Sequence, residues 1–99
     1  MPDYRPVQLR DNAAKQRYEM SFKDGRTVFV TYEKQPGRIV LVHTEVPEEL
    51  AGLGLASALA RESLADIRRQ GLRVVPRCPF IAKFIKRGPE YADLVDDTA

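Results

Sequence analysis

Alternating hydrophobic and polar residues mark the first third of the chain. The stretch from Arg17 to Lys34 predicts two antiparallel strands on either side of Asp24-Gly25, a dipeptide that favours a tight β-hairpin turn. Side chains two residues apart point to the same face of a strand. The first strand is therefore predicted to carry Tyr18, Met20 and Phe22 on one face.

A third strand is predicted from Arg38 to Thr44, after a Pro36-Gly37 turn. Both of its faces are apolar, as expected for a strand in the middle of an α/β sheet. Strict alternation groups Ile39, Leu41 and His43 on one face and Val40, Val42 and Thr44 on the other. Proline at position 47 lacks an amide hydrogen and ends regular pairing.

The second half of the chain changes to a helical period. The range Leu53–Gln70 places its apolar residues on one face, with Gly71 as the C-terminal cap: Ala56, Leu59, Ala60, Leu64 and Ile67. A short strand is predicted from Leu72 to Pro76, and a second helix from Pro79 to Gly88. The segment Glu90–Val95 is read as a short edge strand.

This order of elements predicts an α/β (α+β) fold in one domain over residues 1–99. Antiparallel N-terminal strands are followed by a β-α-β-α unit, so the sheet is mixed. The βαβ connection is expected to be right-handed, with its two strands parallel. The loop from His43 to Gly54 and the loop holding Arg77, Cys78 and Pro79 then meet at one sheet edge, where open α/β sheets bind ligands.

Composition narrows the class of protein. The 99 residues are 43% hydrophobic and 30% charged, as in soluble globular domains, and no apolar run reaches bilayer length. The first residues lack the features of a secretory signal, and the single cysteine has no internal disulfide partner. We therefore expect a cytoplasmic protein without a membrane partner. One His and one Cys cannot supply a structural zinc site, so no metal is expected.

The net charge of +2 is unevenly distributed. Residues 61–88 carry eight Lys or Arg against two Asp or Glu, whereas residues 89–99 carry four acids and no base. A basic cluster of this kind fits an anionic ligand or a nucleic acid. Aromatic residues are not interleaved with the bases on exposed strands, and the acidic tail opposes binding, so nucleic acid is the less favoured partner.

The turn "ELAGLGLAS" places Gly52, Gly54 and Ala56 at alternate positions before the first helix. Small residues there let backbone amides approach a phosphate or pyrophosphate. The alternative is a tight strand-to-helix turn that binds nothing. No Gly-Lys-Ser/Thr follows, which excludes a Walker phosphate loop, and the dinucleotide-binding fingerprint fails at its third glycine.

Two longer stretches, "HTEVPEELAGLGLASALA" and "VVPRCPFIAKFIKRGPEYADLV", resemble the short, stand-alone branch of the GNAT (general-control-type N-acetyltransferase) superfamily. The resemblance implies an acetyl-coenzyme A (acetyl-CoA) cosubstrate and an unidentified amine acceptor. We expect a monomer or weak homodimer. The resemblance also implies a set of coenzyme-binding residues: Thr44, Glu45, Val46, Gly52, Leu53, Gly54, Leu55, Ala56, Ser57, Cys78, Pro79 and Phe80. Lys83 is added as the candidate partner of the coenzyme 3′-phosphate, with Lys86 and Arg87 on the same helix as alternatives.

Two positions depart from the superfamily pattern. Ala51 stands where Arg or Gln is usual before the glycine turn, and Gly88 stands where close relatives carry His before Pro-Glu-Tyr. The first departure removes a side-chain contact and is expected to weaken coenzyme binding. Binding is not expected to be abolished, because the backbone amides remain. Both departures keep open an alternative function, a non-catalytic sensor or regulatory module that binds CoA or acetyl-CoA.

His43 and Cys78 are the candidate catalytic residues. Cys78 precedes a helix N-terminus and follows Arg77, which favours the thiolate, although a small buried core residue is an equal alternative. His43 carries the type of side chain that most readily exchanges a proton near neutral pH, and it is the preferred base over Glu45, Glu48 and Glu49; its alternative is a core histidine.

Two mechanisms remain open. In direct transfer, His43 deprotonates the acceptor amine and Cys78 protonates the leaving thiolate; in the covalent variant, Cys78 is acetylated first. Direct transfer is slightly preferred. In either route, backbone amides around Val46 would polarise the thioester carbonyl.

Overall fold

A computed structural model describes residues 9–21 and 25–96. Two α-helices, α1 (Leu55–Arg69) and α2 (Pro79–Arg87), accompany five strands: β1 (Leu9–Asn12), β2 (Arg17–Ser21), β3 (Thr27–Gln35), β4 (Arg38–Glu45) and β5 (Arg73–Pro76). Short 3₁₀ helices occupy Ala13–Lys15, Glu48–Leu50 and Pro89–Leu94. Within the described ranges, neither α-helix is long and apolar enough to span a bilayer. Phe22 and Asp24 of the predicted hairpin lie outside the described residues.

The five strands form one mixed sheet in the order β1-β2-β3-β4-β5. The first four strands pair antiparallel with their sequence neighbours, and β4 pairs with β5 in parallel. Because parallel neighbours need a crossover connection, α1 lies between β4 and β5 in the chain. The predicted fold class and the predicted parallel β-α-β unit are confirmed.

The helix α1 packs its apolar face on the sheet. Leu59, Ala60, Leu64 and Ile67 are fully buried in one core with strand residues such as Val30, Ile39, Leu41 and Val74. The helix begins two residues later than predicted because Gly54 has a φ of 76°, a left-handed conformation that a right-handed helix cannot contain. It ends at Arg69, and Gly71 follows with a φ of 71°.

A hydrogen bond also ties α1 to the sheet. The Tyr18 hydroxyl of β2 donates to Asp66 Oδ2 at 2.9 Å, and Gln70 and Arg69 donate to the same carboxylate at 2.6 and 3.1 Å. Burial alone would raise the pKa of Asp66, but these hydrogen bonds outweigh burial and lower it. Burial and the bond to Asp66 raise the pKa of Tyr18. The pair therefore stays phenol and carboxylate near neutral pH.

A β-bulge at Val42 changes the alternation of β4. Thr31 pairs with His43 and Tyr32 pairs with Leu41, so Val42 is an extra residue in this strand. One extra residue moves the following side chains to the opposite faces. Thr44, opposite the core residue Val30, therefore joins the face of Leu41. The predicted grouping of His43 with Leu41, and of Thr44 with the opposite face, is wrong.

The segment after α2 also differs from its prediction. Residues 89–94 form a 3₁₀ helix in place of the expected edge strand. Only Val95 makes a parallel bridge, with Val74, and the Asp96 amide donates to the Val74 carbonyl at 2.9 Å. Proline at position 89 and the burial of Leu94 favour a compact turn over an extended strand.

We expect Tyr18→Phe to lower the free energy of unfolding at pH 7 by about 1–2 kcal/mol, because Asp66 loses a charged hydrogen bond. The lowered pKa of Asp66 stabilises the fold above the unfolded-state pKa, about 3.9, and this contribution is lost as pH falls through the folded-state pKa. Urea denaturation should therefore show a smaller difference between the two proteins at pH 3.

Tyr91→Phe is the matched control, since the Tyr91 ring contacts Phe84 and its hydroxyl makes no hydrogen bond within the described residues. It should change stability by less than about 0.5 kcal/mol. An equal loss in Tyr18→Phe and Tyr91→Phe would contradict the role assigned to the Tyr18–Asp66 bond.

Candidate functional site

A gap opens in the sheet where β4 and β5 separate. Their parallel pairing ends at Leu41 and Pro76. The Leu41 carbonyl then accepts the amides of both Arg77 and Cys78, at 3.0 and 2.9 Å. Pro76 has no amide to donate, and beyond Leu41 the described residues give β4 only β3 as a strand partner. The last residues of β4 therefore have a free backbone edge on the side of β5 and α2.

A cavity of about 310 Å³ lies beside this gap. Apolar side chains form much of its wall, together with the backbone of the glycine turn. The lining residues are Val46, Leu50, Ala51, Gly52, Gly54, Leu55, Ala56, Ser57 and Phe80. A cleft with apolar walls and a few convergent polar groups is the usual form of a small-molecule site.

The polar groups of this cavity come from the first turn of α1. Gly54 is the N-cap and has no side chain to bond the helix amides, and the first helical bond runs from the Ala58 amide to the Gly54 carbonyl at 3.1 Å. The amides of Leu55, Ala56 and Ser57 consequently have no acceptor within the helix. Their positive partial charges and the helix dipole favour an anion in the cavity.

The glycines of this turn are required by conformation, not by space. Gly52 and Gly54 have φ angles of 81° and 76°, and a Cβ built on either residue meets no heavy atom within 4 Å. A left-handed residue here brings the chain from the 3₁₀ helix Glu48–Leu50 directly into α1. The two glycines thus direct the chain into the first turn of α1, whose residues line the cavity.

Cys78 lies on the core side of the sheet. It is the N-cap of α2 and is only 3% exposed. Its Sγ lies 3.2 Å from the Thr44 hydroxyl, so this pair connects β4 to α2 beside the gap. The thiol is therefore shielded from solvent in the described structure.

His43 lies on the opposite face and is exposed. Its Nε2 is 2.7 Å from Glu45 Oε2, and the side chains of the pair are 62% and 56% exposed. His43 and Cys78 thus come from the same sheet edge but contact different partners on different faces. The structure does not bring these two side chains into contact with each other.

Seven of the predicted coenzyme-binding residues line the cavity: Val46, Gly52, Gly54, Leu55, Ala56, Ser57 and Phe80. The other predicted residues lie outside its lining: Thr44, Glu45, Leu53, Cys78, Pro79 and Lys83. Leu50 and Ala51 line it and were not predicted to do so. Leu50 is 1% exposed. A single apolar residue that follows two glutamates and precedes the glycine turn could have indicated this burial from the sequence.

Comparison with known proteins identifies the family of this chain. The sequence model of the GCN5-related N-acetyl-transferase family matches residues 17–94. The chain belongs to this family. Membership confirms the resemblance seen in the sequence, to a family of N-acetyltransferases.

Several curated proteins named NATD1 are similar to this chain. The chain is 42% identical to Protein NATD1 of Bos taurus over 59 residues, which are 59% of this chain and 52% of the relative. It is 31% identical to Protein NATD1 of Gallus gallus over 87 residues, covering 85% of this chain and 78% of the relative. The alignment thus spans about half the length of the bovine protein.

We expect Gly54→Ala to lower the free energy of unfolding by about 1–2 kcal/mol, because a Cβ disfavours the left-handed conformation. Gly54→Asn should lose less, since Asn tolerates this conformation better than other residues. Thermal or urea unfolding would measure both. Equal losses in the two variants would contradict a conformational cause.

We expect the thiol of Cys78 to react with a chromogenic disulfide reagent much more slowly in the native protein than in urea, because it is 3% exposed. The rate should follow local opening of the structure. Prompt stoichiometric reaction of the native protein would contradict this burial and would favour the covalent route.

Proposed function

We propose that this acetyltransferase uses acetyl-CoA and transfers its acetyl group to an amine acceptor. The observation that carries the proposal is the cavity at the N-terminus of α1, where the glycine turn presents unbonded amides beside the gap between β4 and β5. An anionic group and an apolar arm would both find complementary surfaces there.

The residues present fit the coenzyme in three respects. The free amides of Leu55–Ser57 suit a pyrophosphate. The apolar walls and the open backbone edge of residues 42–45 suit the pantetheine arm, which carries its own amides. Lys83 lies one helical turn beyond Phe80 and is exposed, which would place a cation near the 3′-phosphate.

His43 is the proposed base. When bound, acetyl-CoA supplies a thioester whose carbonyl carbon an amine can attack. The exposed His43 imidazole would accept the proton that the amine loses. Burial of Cys78 and its contact with Thr44 support direct transfer, because a thiol that is 3% exposed and has no contact with His43 lacks a base to form the nucleophilic thiolate. A proton donor, by contrast, is the neutral thiol. Cys78 remains the proposed proton donor to the leaving sulfur.

Calorimetric titration with acetyl-CoA tests the binding site. We expect saturable binding by the wild type and weaker binding by Gly54→Ala, which disturbs the amides of the turn. Gly37→Ala is the matched control: its φ of 74° imposes a similar backbone cost in the β3–β4 turn, and Gly37 does not line the cavity. No binding at millimolar coenzyme would overturn the proposal.

Turnover distinguishes the acetyltransferase from the coenzyme-binding sensor. Release of free CoA would be measured with spermidine and with a lysine-containing peptide as acceptors. Activity that falls strongly in His43→Ala supports the proposed base. Binding without turnover would favour the sensor, and a stable acetyl adduct lost in Cys78→Ala would favour the covalent route.

A further inference from the structure

The face of the sheet opposite the core carries two rows of paired side chains. In one row the strand partners are Arg10, Glu19, Phe29 and Glu45. In the next row they are Asn12, Arg17, Thr31 and His43. The His43–Glu45 pair is therefore the β4 end of a polar surface that crosses the sheet.

The residues of this surface on β1, β2 and β3 contact one another. Glu19 is 7% exposed and accepts from Arg17 at 2.7 Å and from Asn12 at 3.3 Å. The Arg17 guanidinium also lies 4.2 Å from the centre of the Phe29 ring. Burial would raise the pKa of Glu19, but its hydrogen bonds to Arg17 and Asn12 outweigh burial and lower it. Phe29, directly opposite Glu45, thus has a fixed position beside the His43–Glu45 pair.

The 2.7 Å contact defines which His43 nitrogen holds the proton. A carboxylate only accepts hydrogen bonds, so the Nε2 that contacts Glu45 must be the protonated nitrogen. In the neutral ring, Nδ1 then carries the free lone pair. The bulge at Val42 places both side chains on the same exposed face.

We infer that Glu45 is a positioning residue for His43: it holds the imidazole by Nε2 and leaves Nδ1 as the proton acceptor. This inference rests on the proposed function, in which His43 is the base. Glu45 itself neither accepts the amine proton nor contacts the reacting atoms. Its side chain lies on the face opposite Thr44, so its removal leaves the cavity side of β4 unchanged.

The exposure of the His43 and Glu45 side chains sets the expected effect of removing Glu45 on kcat. Both side chains are more than half exposed, and such pairs stabilise a geometry by at most about 1 kcal/mol. Glu45→Ala should therefore lower kcat about two- to fivefold. The KM for acetyl-CoA should not change. Glu45→Gln should restore most of kcat, because its amide oxygen can still accept from Nε2.

The kinetic test uses acetyl-CoA with whichever of spermidine or the lysine peptide the wild type acetylates. Glu33→Ala is the matched control, since Glu33 is an exposed strand glutamate with no role in the site. In a His43→Ala background, Glu45→Ala should have no further effect on kcat. A loss in Glu45→Gln as large as in Glu45→Ala, persisting without His43, would overturn the inference and make Glu45 the base.

A spectroscopic test does not depend on turnover. The three-bond couplings about χ1 of His43 should report one rotamer in the wild type and in Glu45→Gln, and averaging in Glu45→Ala. Averaged couplings in the wild type would overturn the inference. A single rotamer that Glu45→Ala averages, in a protein without turnover, would support the positioning contact while the proposed activity fails.

Discussion

The separation of β4 from β5 is the constraint on which the site depends. A single carbonyl, that of Leu41, accepts the amides of the two residues that follow β5, and Pro76 offers none. The parallel ladder cannot continue past that point, so the chain after β5 turns into α2. The backbone edge of residues 42–45 is left open, and the first turn of α1 lies beside it. The open backbone edge beside the cavity follows from this one interruption.

The position of α1 has a second basis in its packing. Its buried face holds the helix on the sheet, and Asp66 fixes it to Tyr18 of β2. The N-terminus, by contrast, has no side-chain cap, which leaves about 1 kcal/mol of ordinary helix stabilisation unused. A well-anchored helix can tolerate an uncapped end, and a ligand anion would supply the missing acceptors.

Much of the fold was predictable because its signals are local. Helical spacing identified α1 and α2, and the Pro36-Gly37 and Gly71 positions identified the ends of elements. The bulge at Val42 was not predictable, because β4 is apolar on both faces and a change of phase leaves no mark in such a sequence. The turn after Gly88 was misread for a related reason: six residues with mixed polarity fit a strand and a 3₁₀ helix equally well.

The residues of the site also differ in whether a local sequence signal identifies them. Residues whose contribution is backbone, such as Gly52, Gly54 and Ala56, were found from sequence because small residues before a helix have a direct geometric meaning. The relation between His43 and Cys78 could not be found from the sequence, because it depends on which face of the sheet each side chain occupies. Pairing of His43 with Glu45, two residues away, became visible only once both were known to lie on one exposed face.

The bulge also sets a limit on how this segment can vary. The Val42 side chain is 44% exposed, so many residues can replace it without disturbing the core. Removing the residue is a different matter, because His43 and Glu45 would turn inward and Thr44 would turn outward. At this position the sequence is free in composition but fixed in length, and an insertion or deletion of one residue is a larger change than any substitution.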